Sequence, residues 1–488
     1  MTDAIVEGIP VPTEHWIGGE RVGSTDAFAD VSPIDEQVIA EVARGGPDEV
    51  DRAVRAAREA FAVWGRTDPK RRAEVLHRIA DGVEAAVPRL AAVETRDNGS
   101  LLRSMQRSVM PRVARNFRFF ADELLRLGEE RRHEGYAERI AWDPAGVEAV
   151  ITPWNAPLML ATWRFAPALA AGNTVVLKPP EWAPLTASLF ADIAREAGLP
   201  DGAFNVVQGI GEEAGAALVA HPDVDRISFT GSVATGRLVA AAAGANLTPV
   251  SLELGGKSPL LVFADADLEA AVAQAVNQYD NAGQVCLAGT RLLVEASVYE
   301  DFLERFLERA RALRQGDPRK ETTDIGPLIT REHLQRVDGF VQRAKAEGAR
   351  AILGGGPNEE LGGLYYLPTL FVDVPEGAEI LREEVFGPVL TLQPFADEEE
   401  AIALANATDY GLAATLYTGD PERAERVSAR LVAGTVWVNC FYVRDLAAPF
   451  GGARSSGIGR EGGTWSFDFH AEVKTVCIAP WGKERGDG

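Results

Sequence analysis

The sequence predicts an α/β protein carrying two parallel sheets, and two observations support this. From residue 147 onward, short apolar runs alternate with stretches whose apolar residues recur every three or four positions, so strand and helix take turns. The alternation occurs twice, from 147 to about 254 and from 257 to about 451. Such sheets present ligands at the carboxyl ends of their strands.

In chain order, residues 1–30 read as an irregular arm with short strands around His15-Trp-Ile-Gly-Gly19. Ser32-Pro-Ile-Asp35 is a turn and 37–42 a short strand. Pro47 opens a helix whose Val50, Ala53, Val54, Ala57, Ala60 and Phe61 share a face. Helices are expected over 71–87, 90–96 and 107–127, the last with Val113, Phe117, Phe120 and Leu124 on one side. Residues 136–142 and 147–152, separated by Asp143-Pro-Ala-Gly146, read as a hairpin. The first alternating unit has strands at 147–152, 174–178, 204–207, 226–230 and 249–254. Its helices are at 158–169, 185–197, 211–220 and 234–242. The second has strands at 260–263, 291–294, 367–372, 389–395, 413–417 and 435–439, with helices at 298–314, 331–347, 398–407 and 421–430. The tail, 470–478, alternates as one strand and needs a neighbour.

A chain of 488 residues, 46% hydrophobic and 25% charged, suits two or three domains with large cores. A net charge of −23 argues against nucleic acid, because polyanion binding needs a basic face. The acidity is read as serving solubility. No basic start followed by an apolar run is visible, nor an apolar stretch of the ~18 residues that span a bilayer; Arg164 interrupts the run 159–171. Cys286, Cys440 and Cys477 are the three cysteines, which fits reduced thiols and a cytoplasmic setting. The six histidines show no ligand spacing, so no metal is expected.

The chain is organised around Cys286, within Asp280-Asn-Ala-Gly-Gln-Val-Cys-Leu-Ala-Gly-Thr-Arg291. Small neighbours let a substrate carbon approach a thiolate closely. A lone cysteine is more often an inert buried hydrophobe. Other stretches overturn that reading: Thr152-Pro-Trp-Asn-Ala-Pro157, Leu177-Lys-Pro-Pro-Glu181, Phe229-Thr-Gly-Ser232, Leu252-Glu-Leu-Gly-Gly-Lys257 and Glu384-Val-Phe-Gly-Pro388. With Cys286 they make the chain resemble the aldehyde dehydrogenases, from about Trp16 to Cys477 and in the family's order. Arg112, Arg444 and the tail from Phe450-Gly-Gly to Phe467-Asp-Phe are similar to the branch acting on (hydroxy)muconic and 5-carboxymethyl-2-hydroxymuconate semialdehydes.

The resemblance implies the aldehyde dehydrogenase fold. A Rossmann-like cofactor domain would comprise 1–127 and 147–255, and a catalytic α/β domain 256–455. A small β flap and tail, 128–146 and 456–488, would serve oligomerisation into a homodimer or homotetramer. It implies NAD-dependent oxidation of an aldehyde through a thiohemiacetal and a thioester on Cys286. Asn155 would donate to the oxyanion, Glu253 would activate the hydrolytic water, and Glu461 would assist proton movement. The presence of Glu253 also favours hydrolysis over transfer to coenzyme A. For the cofactor the family positions are Thr152, Trp154, Lys178, Glu181, Gly211, Gly215, Thr230, Gly231, Ser232, Leu254, Gly255, Glu384 and Phe386. Thr230-Gly-Ser232 ends a strand and opens a helix, a seat for a pyrophosphate. Glu181 would bind ribose hydroxyls and repel a 2′-phosphate. Gly209-Ile-Gly-Glu-Glu-Ala-Gly215 is one residue too long for the dinucleotide fingerprint, and its two acids suit a phosphate badly. Pocket walls fall at Ala156, Met159, Trp163, Val285, Leu287, Val443 and Phe450. Arg112 and Arg444 could clamp a distal carboxylate. The substrate would be a small-molecule aldehyde, with no nucleic acid or membrane partner. Alternatives are an uncharged aldehyde, a catalytically silent family member, or a thiol hydrolase that would not need Lys178, Glu181 and Glu384.

Overall fold

The computed structural model describes residues 3–133 and 136–479. Residues 480–488 of the expected tail, and 134–135 of the expected flap, lie outside the described residues.

Val147–Ile151 is buried at every position, as a strand covered on both faces must be. It stands at the middle of an eight-stranded sheet. Thr174–Lys178 and Phe204–Val206 follow in parallel on one side, and Arg226–Thr230 and Val250–Glu253 on the other. The order therefore reverses beside Val147–Ile151, which opens a crevice at the strands' carboxyl ends. His15–Ile17 and then Glu20–Val22 continue the sheet antiparallel on the Phe204 side, and Gly457–Ile458 is the antiparallel edge on the other. A seven-stranded second sheet joins Pro259–Val262, Arg291–Glu295, Thr369–Val372, Val389–Phe395, Ala413–Tyr417 and Thr435–Val438 in parallel, with Arg350–Leu353 antiparallel at the edge.

Two expectations are corrected. Tyr136–Pro144 does not pair with Val147–Ile151. It pairs antiparallel with Glu129–His133 and with the tail strand Ala471–Ile478, forming a separate three-stranded sheet. Burial decides: Val147–Ile151 is wholly interior, whereas Tyr136–Pro144 is only part-covered. The helices expected at 71–87 and 90–96 are one helix, Pro69–Asn98, that runs through Pro88. An interior proline costs about 3 kcal/mol. Burial of Leu76, Ile79, Ala80, Val83, Leu90 and Ala91 in the core shared with helix Met110–Leu124 outweighs it.

Helix 107–127 is shorter than expected, Met110–Leu124, and follows a wide π-type turn, Met105–Val109. A second such turn, Gly211–Gly215, replaces the start of the helix expected at 211. Among the described residues no helix is long and apolar enough to cross a membrane.

Candidate active site

Three loops meet at Cys286. After helix Leu268–Val276 the chain turns through Asn281, Ala282 and Gly283, all left-handed, with φ of 49°, 54° and 71°. Only glycine fits the third position, since a Cβ there would run into the Gly387 carbonyl oxygen. Buried Gln284 locks this turn: its amide donates to the Asn281 carbonyl at 3.0 Å, and its Oε1 accepts from the Ile329 N–H at 3.0 Å. The Asn155 amide nitrogen donates to the Gln284 carbonyl at 2.9 Å, which ties the turn after the central strand to the cysteine loop. An amide nitrogen carries two hydrogens, so a second remains for a ligand. The third loop, 384–388, is held by helix Arg331–Ala346. His333 Nε2 donates to the Phe386 carbonyl at 2.8 Å, and Arg336 donates to the carbonyls of Glu384 and Val385 at 2.8 and 2.5 Å. Phe386 has a φ of 59°, a strained geometry costing ~1–3 kcal/mol that these anchors enforce.

These loops border a cleft of about 760 Å³. Its reactive end holds Cys286, Asn155, Glu253 and Glu461. Glu253 ends the strand Val250–Glu253, is 7% exposed, and has one carboxylate oxygen without a hydrogen-bond partner. Burial raises its pKa to about 7, against the pull of Arg164, Arg444 and Arg460. That is near the optimum for a base working at neutral pH. Burial, and then the carboxylates Glu384 and Glu253, push the Cys286 thiol up to about 12, while Arg444 pulls it down. A thiol held there is protonated at neutral pH and must lose its proton before it can act as a nucleophile. Val285 and Leu287 pack with Phe450 into a small apolar cluster around Cys286.

Glu461 is ion-paired with Arg164, 3% and 1% exposed respectively. Arg164 also donates to Ser251 Oγ at 2.9 Å, Thr230 Oγ1 at 3.0 Å and the Phe229 carbonyl at 3.2 Å. It links the turn after Phe229 to the Glu461 carboxylate, and its charge also pulls the Glu253 pKa down. Sequence reading treated Arg164 only as an interruption of an apolar run. Its signal was there: a lone cation in helix Pro157–Ala171, which is otherwise buried nearly all round.

At the cleft's other end Ser232 caps helix Val233–Ala245, its Oγ accepting from the Thr235 N–H at 3.1 Å. Thr230, Gly231, Ser232, Leu254 and Gly255 line this part, and Trp154 and Phe386 meet edge to face at 5.4 Å. Glu384 lies against Gly255, where a Cβ would collide with its carboxylate, and accepts from the Gly256 N–H at 3.0 Å. Lys178, Glu181, Gly211 and Gly215 lie outside the lining of this cleft. Buried Lys178 donates to Glu181 at 2.5 Å, and the Gly211 N–H reaches the other Glu181 oxygen at 3.4 Å. Burial opposes ionisation of Glu181, but the Lys178 ammonium outweighs it and holds the carboxyl below its ordinary value. Thr152 Oγ1 is buried without a partner at the end of the central strand.

Ala156, Met159 and Trp163 line one wall. Arg112 lies 5.1 Å from the Trp163 ring centre and Arg444 5.4 Å; Arg444 also stands 3.6 Å over Phe450. Arg112 is held by Asn116 Oδ1 at 2.8 Å. Among the described residues neither guanidinium has a carboxylate within ion-pair distance. Burial, with the neighbouring charges of Arg444 and Arg115, lowers the Arg112 pKa to about 10. Two part-buried like charges without a counter-ion are costly and mark a place for an anion. Val443 is 66% exposed and does not line the cleft; Tyr442, left-handed at φ 59°, does. Sequence reading missed Tyr442, Arg115, His333 and Trp182 on this lining, because loop direction and helix packing place them there.

Residues 20–476 match the aldehyde dehydrogenase family. The chain is 44% identical to the 2-hydroxymuconic semialdehyde dehydrogenase of Pseudomonas sp. (strain CF600), over 95% of this chain and 99% of that protein. It is 48% identical to HpcC from Thermus thermophilus, with a TM-score of 0.93 over 98% of this chain and 95% of that one. It is 38% identical to an indole-3-acetaldehyde dehydrogenase solved with NAD+, with a TM-score of 0.95 over 97% and 98% of the two chains. A match across almost the whole length, with the Cys286 loop, buried Glu253 and the turn bearing Asn155 in one cleft, leaves one conclusion: the chain belongs to the aldehyde dehydrogenase family.

Proposed function

We propose that this protein oxidises a semialdehyde bearing a distal carboxylate to the corresponding diacid, with NAD as cofactor. The observation that carries the reading is the pair Arg112 and Arg444, both against Trp163 and, among the described residues, neither within ion-pair distance of a carboxylate. A carboxylate placed between them would accept from both guanidiniums. The name of the hydroxymuconic semialdehyde relative supports the same substrate class.

The residues present fit a dinucleotide. A crevice at the reversal of strand order, an unpartnered Thr152 hydroxyl and a strand-to-helix turn at 230–232 suit its ribose and phosphates. Glu181 and Lys178 would hold the adenosine ribose, and Glu384, Phe386 and Trp154 the nicotinamide side. What NAD supplies when bound is a hydride acceptor. The protein's own work is at Cys286. The Cys286 thiol loses its proton to solvent, and Sγ adds to the aldehyde carbon. The free hydrogen of the Asn155 amide and the Cys286 N–H donate to the oxygen that gains charge. After oxidation, Glu253 takes a proton from water, which cleaves the thioester and returns the thiol. Arg164 holds Glu461 by an ion pair, and its charge favours the ionised form of Glu253.

We also read the three-stranded sheet of Glu129–His133, Tyr136–Pro144 and Ala471–Ile478 as an oligomerisation flap, and the three free cysteines as belonging to a cytoplasmic protein. The test of function is a panel of aldehydes with and without a distal carboxylate, followed by NADH absorbance. Acid semialdehydes should be the best substrates by kcat/KM. Preference for neutral aldehydes of equal size would overturn the substrate reading.

A further inference from the structure

We infer that Asn281 is a positioning residue for the oxyanion step, which acts by holding Asn155 in place. This rests on the reading of Asn155 as the side-chain donor to that oxygen.

Three side-chain amides close a ring beside Cys286. The Asn155 amide nitrogen donates to the Gln284 carbonyl at 2.9 Å, and that of Gln284 to the Asn281 carbonyl at 3.0 Å. The Asn281 amide nitrogen then donates back to the Asn155 carbonyl at 3.3 Å. Asn155 is thus held at both ends, its side chain by the cysteine loop and its backbone by Asn281. All three residues line the cleft with Cys286.

Asn281 is itself oriented from behind. Its Oδ1 accepts from the Ser100 hydroxyl at 3.0 Å. With the oxygen turned to Ser100, the nitrogen is left to face Asn155. Ser100 lies just beyond helix Pro69–Asn98, whose last side chain donates to the Trp154 carbonyl at 3.3 Å. One helix end therefore props the carbonyls of 154 and 155, the first directly and the second through Asn281. The backbone at Asn281 is left-handed, with φ 49°, which asparagine tolerates better than most residues. Glycine would suit that backbone at least as well, so the turn alone does not call for the amide.

An oxyanion donor stabilises charge best when its hydrogen is aimed before the charge develops. The amide group is planar, so spending one Asn155 hydrogen on Gln284 fixes the direction of the other. Without Asn281 the Asn155 carbonyl is released, its peptide is free to turn, and the second hydrogen loses its aim.

The test measures kcat/KM for pentanal and 5-oxopentanoate at saturating NAD and, separately, the rate at which iodoacetamide alkylates Cys286. Both reactions need the thiolate, but only the first builds an oxyanion. Asn281→Gly keeps the left-handed backbone and removes the amide. It should lower kcat/KM by about tenfold for both aldehydes and change alkylation by less than about twofold. Asn281→Asp keeps an acceptor for Ser100 but turns a second acceptor on the Asn155 carbonyl, so kcat/KM should fall at least as far. In the Asn155→Ala background, where ~10²–10³ is already lost, Asn281→Gly should add less than about twofold. Full kcat/KM in either Asn281 variant, an equal loss of alkylation in Asn281→Gly, or a loss that adds in full to that of Asn155→Ala would each overturn the inference and leave the reading of Asn155 standing. If Asn155→Ala keeps its kcat/KM, that reading fails and takes this inference with it.

Discussion

Arg444→Ala isolates the feature on which substrate choice rests. In the wild type the guanidinium lies 3.6 Å over Phe450 and 5.4 Å from Trp163, and Arg112 reaches the same indole at 5.1 Å. Breaking a desolvated carboxylate–guanidinium contact costs ~2–5 kcal/mol, against ~1 or less for a solvated one. Arg444 is part-buried and Arg112 remains to share the anion, so the lower end applies. About 2 kcal/mol corresponds to roughly thirtyfold in kcat/KM for an acid semialdehyde. A second effect runs in parallel. Arg444 pulls the Cys286 thiol down, so its removal raises that pKa and slows every aldehyde alike. The diagnostic quantity is therefore the ratio of kcat/KM for an acid semialdehyde to that for a neutral aldehyde of the same length. That ratio should fall roughly thirtyfold, whereas alkylation of Cys286 by iodoacetamide should shift to higher pH regardless of substrate. Arg444→Lys keeps the charge but not the planar fork, and should land between. A ratio that stays within about threefold of the wild type would refute the clamp, since ~0.65 kcal/mol is what a solvated surface contact gives.

Glu253→Gln should release one NADH per active site and then stall, because oxidation precedes the water step. Rapid mixing would show the burst, and absence of both burst and trapped thioester would remove Glu253 from that role. With its carboxyl raised to about 7, Glu253 is protonated below that pH and a base above it, so steady-state turnover should rise through pH 7 in the wild type. Glu181 should repel a 2′-phosphate, so NAD should exceed NADP by about tenfold or more in kcat/KM, and Glu181→Gln should narrow the gap; equal use of both by the wild type would sink the assignment. Arg164→Met leaves Glu461 buried without its partner and should cost ~3–5 kcal/mol, seen as earlier thermal unfolding by circular dichroism; unchanged melting would mean that the pair is neutral to stability.

Periodicity and turn chemistry were enough to read the alternating units. The five strands around Val147–Ile151 and the six parallel strands of the second sheet lie where short apolar runs bounded by turns placed them. The candidate nucleophile was legible through its company. Alone, Cys286 reads as an inert cysteine and Pro-Trp-Asn as an ordinary turn; five further stretches in the family's order made the chain resemble the aldehyde dehydrogenases. What stayed illegible depends on contacts distant in sequence. Tyr136–Pro144 looked like the partner of the run that follows it, but pairing is set by which faces are buried, and its partner Ala471–Ile478 comes some 330 residues later. Pro88 read as a break, yet a helix packed along its length tolerates it. Arg164 looked like an interruption until the fold brought Glu461, Ser251 and Thr230 around it. The sequence by itself determined the alternation of strands and helices, because it follows from local pattern, and its motifs pointed to Cys286, Asn155 and Glu253, which the fold gathers in one cleft. The tertiary structure alone decided which charges are matched. Pairing depends on a few ångströms between segments far apart in the chain, and among the described residues it leaves Arg112 and Arg444 on the cleft wall with no carboxylate within ion-pair distance.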